Sequence, residues 1–200
     1  MSLPVDPASL PLILASGSPR RRELMAEAGY RFEVVKPDID EIEDPERTIQ
    51  ALTRENARLK AEAVAHLFPD RIVIAADTLV LREDRALGKP ATREEAFAMV
   101  RSLNGRTHQV FTAVCVTSEQ AGHEVEFTVV TDVTFKNLTD EALRHYHTLI
   151  DPMDKAGSYA AQDHGEIIID RVEGSWTNVV GLPMERLATV LTEEFGVTPA

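Results

Sequence analysis

Leu12-Ile13-Leu14-Ala15-Ser16-Gly17-Ser18-Pro19-Arg20-Arg21 is the stretch from which the fold is read. Its four leading apolar residues form a short unbroken run, the signature of a buried strand. Ser16-Gly17 makes a turn. Ser18 suits the cap of a helix and Pro19 its first position, where a missing N–H costs nothing. Leu24, Met25 and Ala28 supply an apolar stripe, and Gly29 stops the helix.

The same interleaving continues outward. Phe32 to Val35 reads as a strand, followed by an acidic segment from Asp38 to Glu46. A helix is expected from Thr48 to Phe68, with Leu52, Leu59, Ala63, Val64 and Leu67 at helical spacing and Pro69 closing it. Arg71 to Leu81 is strand-like around the apolar Ile72-Val73-Ile74-Ala75-Ala76. After a polar turn and Gly88-Lys89-Pro90, Thr92 and Glu95 form a capping box for a helix ending near Asn104-Gly105. Val110 to Thr117 and Glu124 to Phe135, joined by a short glycine-containing turn, predict an antiparallel hairpin. Thr139 to Ile150 is a helix, Gly165 to Val172 a strand, and Pro183 opens a final helix running to Gly196. Met1 to Pro11, with three prolines, is a loose leader. Residues 12–200 then form one α/β domain, in two lobes around a cleft, whose sheet is mixed and curved because a hairpin interrupts the strand–helix alternation.

The 200 residues suffice for a sizeable core, and a hydrophobic fraction of 44% is ordinary for a globular chain. No apolar stretch approaches the roughly 20 residues of a membrane span, and no basic region precedes a secretory-type apolar run. The single cysteine, Cys115, allows no internal disulfide. A cytoplasmic protein without a membrane partner is the expectation. A net charge of −12 disfavours a nucleic-acid polymer, while a small anion in a locally basic cleft remains compatible.

Several positions carry candidate chemistry. Ser16, Gly17 and Ser18 lead into a helix N-terminus, which receives phosphate readily. Arg20 and Arg21 in the first helical turn oppose the helix dipole but suit bidentate contact with phosphate oxygens. Asp77 follows five apolar residues at the carboxyl end of a buried strand, an expensive place for a carboxylate without a partner or a cation; a turn aspartate is the plainer alternative. Thr78 is positioned to hold that carboxylate or touch a ligand. Lys60, Lys89, Lys155 and Gln162 are cations and an amide on a helix edge, a Gly-Lys-Pro turn and a small-residue loop. Each alone reads equally well as a surface or loop residue. Glu41 lies in the acidic segment, as a metal ligand or a solvated side chain. The histidines show no zinc spacing, so a required metal would be a hard cation such as magnesium or manganese.

In combination the motifs are specific. Ser16-Gly17-Ser18-Pro19-Arg20-Arg21, Ala76-Asp77-Thr78, Gly88-Lys89-Pro90, Leu103-Asn104-Gly105-Arg106-Thr107-His108, Asp154-Lys155-Ala156-Gly157 and Val179-Val180-Gly181-Leu182-Pro183 occur in the order seen in Maf proteins. The chain resembles that family from about Leu12 to Leu191. The resemblance implies an elongated α/β structure with a central cleft, similar in fold to the inosine triphosphate pyrophosphatases and usually dimeric. It implies a cation-dependent enzyme that cleaves a nucleoside triphosphate to monophosphate and pyrophosphate. Asp77-Thr78 and Lys155-Ala156-Gly157-Ser158-Tyr159 with Gln162 look like the branch acting on dTTP, UTP and some modified pyrimidine nucleotides. The branch acting on a methylated GTP typically has Asp-Gln and Cys-Ala-Gly at those places. One departure stands out: Asp163-His164 intervene between Gln162 and Gly165, where the family usually places glycine directly after the glutamine.

With that resemblance, Asp77 is assigned as general base or metal ligand, with Glu41 as a second metal ligand. Arg20, Arg21, Lys60 and Lys89 stabilise charge on phosphoryl oxygens, and Ser16, Gly17, Ser18, Thr78, Lys155 and Gln162 bind substrate. Two other classes stay open at this point. A non-catalytic nucleotide-binding regulator fits the association of Maf proteins with septum formation and arrest of division. A nucleotidyltransferase fits the arginine loop, the aspartate and the Lys-Pro pair.

Overall fold

In a computed structural model of the chain, residues 12–44 and 46–200 are described; the expected leader lies outside them. The opening stretch folds as read. β1 (Leu12–Ala15) leads into α1 (Pro19–Glu27), and β2 (Phe32–Val35) returns parallel to β1 with Leu12 opposite Phe32. On its other side β1 is parallel to β3 (Ile72–Arg82), with Leu12 opposite Ile72. The remaining strands are β4 (Arg85–Leu87), β5 (Thr107–Ser118), β6 (His123–Phe135) and β7 (Ile169–Glu173). They complete a seven-stranded sheet in the order β2-β1-β3-β5-β6-β7, with β4 paired to β3. β4 runs antiparallel to β3 and β7 antiparallel to β6, so the sheet is mixed, as expected. The hairpin of β5 and β6 is present: Gln109 Nε2 donates to Asp132 Oδ1 at 3.0 Å, and nearer the turn Thr117 Oγ1 donates to His123 O at 3.4 Å.

The chain divides into two compact units. One comprises the residues up to Asp77 with Thr112–Thr128 and Gly181–Ala200; the other comprises Thr78–Phe111 and Val129–Val180. In the first, alternate strand residues serve opposite faces. Leu12, Leu14, Ile72, Ile74, Val114 and Val116 pack with Met25 of α1 and with Leu187, Leu191 and Phe195 of α7 (Met184–Phe195). Ile13, Ala15, Val73, Ala75, Ala113 and Cys115 pack with Ala57, Ala61, Val64 and Ala65 of α2 (Ile49–Ala65). Helices on both faces explain why these strands read as continuous apolar runs.

α2 departs from the expected stripe. It ends at Ala65 instead of Phe68; Leu52 and Val64 are buried as expected, but Leu59 and Ala63 are half-buried, and Leu67 is 68% exposed. The inward face is the alanine row Ala57, Ala61 and Ala65, set against Ala15, Ala75 and Ala113. Small side chains on both surfaces allow helix and sheet to approach closely, and the face so chosen carries Asn56 and Lys60 inward, both buried. A stripe drawn through the large residues misses that rotation.

The second unit has its own core, including Val80, Val100, Leu103, Val133, Phe135, Leu143, Tyr146 and Ile168. α3 (Arg93–Leu103) opens on the expected cap: Thr92 Oγ1 accepts the Glu95 N–H at 3.1 Å, and the Glu95 carboxylate accepts the Ala91 N–H at 2.7 Å. α4 (Asp140–Leu149) is capped by Thr139. The strand expected over Gly165–Val172 starts only at Ile169, because residues 165–168 form a short helix, α5 (Gly165–Ile168), entered through a left-handed His164 at φ 57°. β4 and α6 (Trp176–Val180) have three and five residues, too few to show a period in the sequence. Among the described residues no helix is long and apolar enough to cross a membrane.

His108 in this unit makes the fold sensitive to acid. The ring is buried among Phe135 and Tyr159, its Nε2 lies 2.9 Å from the Tyr159 hydroxyl, and its Nδ1 has no hydrogen-bond partner. Burial pushes its pKa down to about 4, against an upward pull from the Asp132 charge. Between the ordinary histidine value of about 6.5 and about 4, the unfolded chain takes up a proton that the native ring refuses. Stability is therefore full above that window and falls as pH falls through it. About 2 kcal/mol should be lost between pH 7 and pH 5. Urea unfolding at the two pH values checks this; His108→Gln should flatten the difference, and an unchanged difference would assign the acid sensitivity elsewhere.

Candidate active site

The first unit brings Ser16, Arg21, Glu41, Lys60 and Asp77 into one network. Lys60, on the inward face of α2, places its Nζ 2.7 Å from Asp77 Oδ1 and 2.9 Å from Glu41 Oε1. The Lys60 and Asp77 side chains are each only 8% exposed, while that of Glu41 is 42% exposed. A single ammonium thus bridges a buried and a half-exposed carboxylate. Asp77 Oδ2 is buried and accepts no hydrogen bond. Asp77 sits in mid-strand, a correction to its expected place at the strand's carboxyl end: β3 continues through Thr78, Leu79, Val80 and Leu81, all compatible with a strand, and Val80 pairs with Leu87 of β4.

Arg21 braces this centre. Its Nη1 donates to Ala76 O at 2.8 Å and to Ser16 Oγ at 3.4 Å, and its Nε donates to Gly181 O at 2.8 Å. Partial burial lowers its pKa from the usual value, opposed chiefly by the Asp77 charge; an arginine stays protonated regardless. Two of its nitrogens are committed to the protein, so the free bidentate fork expected from the sequence is not what the geometry presents. Ser18 holds the cap position, but its side chain makes no capping bond, and its N–H donates to Ser16 Oγ at 3.2 Å. Arg20 stands half-buried in the first turn of α1, which contains no acidic residue. Lys36, which sequence reasoning passed over, lays its aliphatic stem beside Gly17, about where a side chain at that glycine would touch it.

Thr78, Lys89, Lys155 and Gln162 belong to the second unit. Gly157 N donates to Gly88 O at 3.1 Å, which joins the turn before Lys89 to the loop after Lys155. Lys155 is buried; its Nζ donates to Asp151 O at 2.8 Å and pairs with Asp154. Ala156–Ser158 is a 3-10 turn with Gly157 at φ 69° and Ser158 at φ 61°. A Cβ on Gly157 would lie 3.0 Å from Val80 Cγ2, so glycine is required there by space as well as by φ. Three side chains hold this loop, only His108 of them within a sequence motif: Tyr146 bonds both backbone groups of Ala160, His147 bonds Ser158 O at 3.0 Å, and His108 bonds Tyr159. Lys89 and Gln162 are exposed, and Thr78 is half-buried.

Among the described residues, two groups offer oxygen or sulfur atoms that could hold a divalent cation. Asp77 Oδ2, buried and without a hydrogen bond, next to the Glu41 carboxylate across Lys60, is a hard oxygen set of the kind magnesium or manganese takes. Cys115, Glu124 and Glu126 also place ligand atoms within 4.8 Å of one another. There burial keeps the Cys115 thiol protonated, with its pKa well above the usual value, and Glu126 is paired to Arg54 at 2.7 Å. That donor set does not suit a hard cation.

Fold and site together define a mixed-sheet α/β protein with a buried carboxylate–lysine centre on its sheet. Residues 11–194 match the family described as Maf-like protein, nearly the whole chain, and the chain belongs to that family. The family resemblance read from the sequence is borne out. The dTTP/UTP pyrophosphatase of Akkermansia muciniphila is 50% identical over 174 residues, covering 87% of this chain and 91% of that protein. The dTTP/UTP pyrophosphatase of Desulforamulus reducens is 44% identical over 187 residues, 94% and 97% of the two chains. Among solved structures, a HAM1 protein from Coxiella burnetii superposes with a TM-score of 0.54 at 19% identity, covering 92% of this chain and 99% of that one. That likeness concerns the fold.

Proposed function

We propose that this chain hydrolyses dTTP and UTP to the nucleoside monophosphate and pyrophosphate. The observation that carries the reading is the Lys60 bridge between Glu41 and Asp77, with Asp77 Oδ2 left unbonded. It is supported by relatives bearing that activity in their names over nearly their full length, and by Asp77-Thr78 and Lys155-Ala156-Gly157 in the sequence.

In the reaction a water oxygen bonds to the α-phosphorus, and the bond from that phosphorus to the bridging oxygen breaks. Pyrophosphate leaves with the bridging oxygen. Asp77 orients the water and accepts its proton. Asp77 and Glu41 would hold magnesium or manganese, which would supply positive charge against the triphosphate. Lys60 bridges the two carboxylates and holds them in place. Arg20 is assigned to phosphoryl oxygens, and Arg21 holds the strand that bears Asp77. Ser16, Gly17 and Ser18 form the turn that receives phosphate. The substrate roles of Thr78, Lys89, Lys155 and Gln162 are proposed on sequence grounds. A cytoplasmic homodimer, acting on free nucleotides and not on a nucleic-acid polymer, accords with the resemblance and with the net charge of −12.

The test is a panel of nucleoside triphosphates with magnesium or manganese, reading monophosphate and pyrophosphate separately. Both products, formed fastest from dTTP or UTP, are expected. Binding without turnover would favour a regulator, and turnover only with a second substrate would favour a nucleotidyltransferase.

A further inference from the structure

Residues 36–44 follow β2 without helix or strand, yet they carry Glu41. A carboxylate on irregular backbone needs something to hold it in place, and the structure supplies it from α2. Asn56 Oδ1 accepts the Ile42 N–H at 2.8 Å, and Asn56 Nδ2 donates to Ile42 O at 3.1 Å. The carboxamide therefore satisfies both backbone groups of the residue next to Glu41, as a neighbouring strand would. Asn56 is 3% exposed. An asparagine in mid-helix is a poor helix former, and a buried amide must recover its lost hydration through hydrogen bonds. Lys60 lies four residues further along α2, so the two side chains project from the same face. One grips the backbone beside Glu41 while the other grips the Glu41 carboxylate at 2.9 Å.

We propose that Asn56 is a positioning residue, which fixes Glu41 where it meets Lys60 and where it can share a divalent cation with Asp77. This rests on the cation role given to Glu41 under the proposed function. Asn56 itself touches neither substrate nor metal.

Asn56→Leu is the discriminating variant. Leucine is close in size, apolar at a buried site and a better helix former, so α2 should survive. Mn2+ alone is titrated against wild type, Asn56→Leu, Glu41→Gln and the double variant, with binding followed by water-proton relaxation. Loss of a group that orients a metal ligand typically weakens metal binding by about 10-fold or more. Asn56→Leu should show that loss, Glu41→Gln a similar one, and the double variant no more than Glu41→Gln alone. In turnover, Asn56→Leu should need about 10-fold more cation and approach wild-type kcat once cation saturates. Thermal melting accompanies the titration. A lowered Tm with unchanged Mn2+ affinity would make Asn56 a structural tie only and overturn the proposal, as would full additivity in the double variant. Mn2+ binding by wild type that is unaffected in Glu41→Gln would remove the cation role of Glu41, and the proposal with it. The nucleotide panel reports on hydrolysis itself, so failure of that reading is seen separately.

Discussion

Lys60→Met should destabilise the protein by about 3–5 kcal/mol, the usual cost of removing one partner from a buried ion pair. The size follows from what is left behind. Asp77 is 5% exposed and one of its oxygens already lacks a hydrogen bond; without the ammonium the other loses its bond to Lys60 as well. Glu41 then adds a second negative charge with no cation between the two. Methionine keeps the length and apolar stem of lysine, so lost packing contributes little. Urea unfolding at pH 7 measures the loss. Lys60→Met combined with Asp77→Asn should recover much of it, because an uncharged amide is far cheaper to bury than a carboxylate. A loss below about 1 kcal/mol in the single variant would show that the pair behaves as an exposed one and that water reaches Asp77 in solution.

Much of this centre was legible in the sequence because its parts break local rules. A carboxylate after five apolar residues, and arginines at the positive end of a helix dipole, conflict with local preference, and such conflicts point to function. Asp77 has the kind of partner its place after five apolar residues called for, the Lys60 ammonium. Arg21 was legible only in part. Its conflict with the dipole is real, but it is resolved by backbone carbonyls at Ala76 and Gly181, groups that carry no signature in the sequence. The strand–turn–helix opening was equally plain, since Pro19 and the run from Leu12 to Ala15 allow few alternatives. The face of α2 was plain only in part, through Leu52 and Val64. Hydrophobic spacing favours its large residues, whereas close packing on the sheet selects the row of alanines, and that choice sets the direction of Asn56 and Lys60. Asn56 gave one faint signal, a poor helix former midway along a helix, and its partner Ile42 lies in a segment without periodicity. The loop around Gly157 was visible as small residues, but its props, Tyr146, His147 and His108, come from distant positions.

Asp77→Asn should lower kcat by roughly 100-fold or more while leaving nucleotide binding largely intact. Asparagine is nearly isosteric, and its carbonyl oxygen can still accept the Lys60 ammonium at the place of Oδ1. What changes is the other position. Oδ2 is an unbonded, buried anionic oxygen in the native chain, and the substitution turns it into an N–H donor with no basicity and no affinity for a cation. Whether Asp77 takes the proton of the attacking water or would hold a cation, that oxygen is the group required. Lys60 retains Glu41, so the stability change should be much smaller than in Lys60→Met. Asp77→Asn thus costs turnover with little stability, whereas Lys60→Met costs stability heavily, and this contrast separates chemistry from scaffolding. Single-turnover rates with dTTP, alongside calorimetric binding of the same nucleotide, decide it. An Asp77→Asn protein that keeps near-native kcat would exclude Asp77 from the chemical step and leave its buried carboxylate as a partner for Lys60 alone. A variant that loses binding in proportion to kcat would instead place the Asp77 charge in the ground-state complex, as a cation ligand needed before the reaction begins.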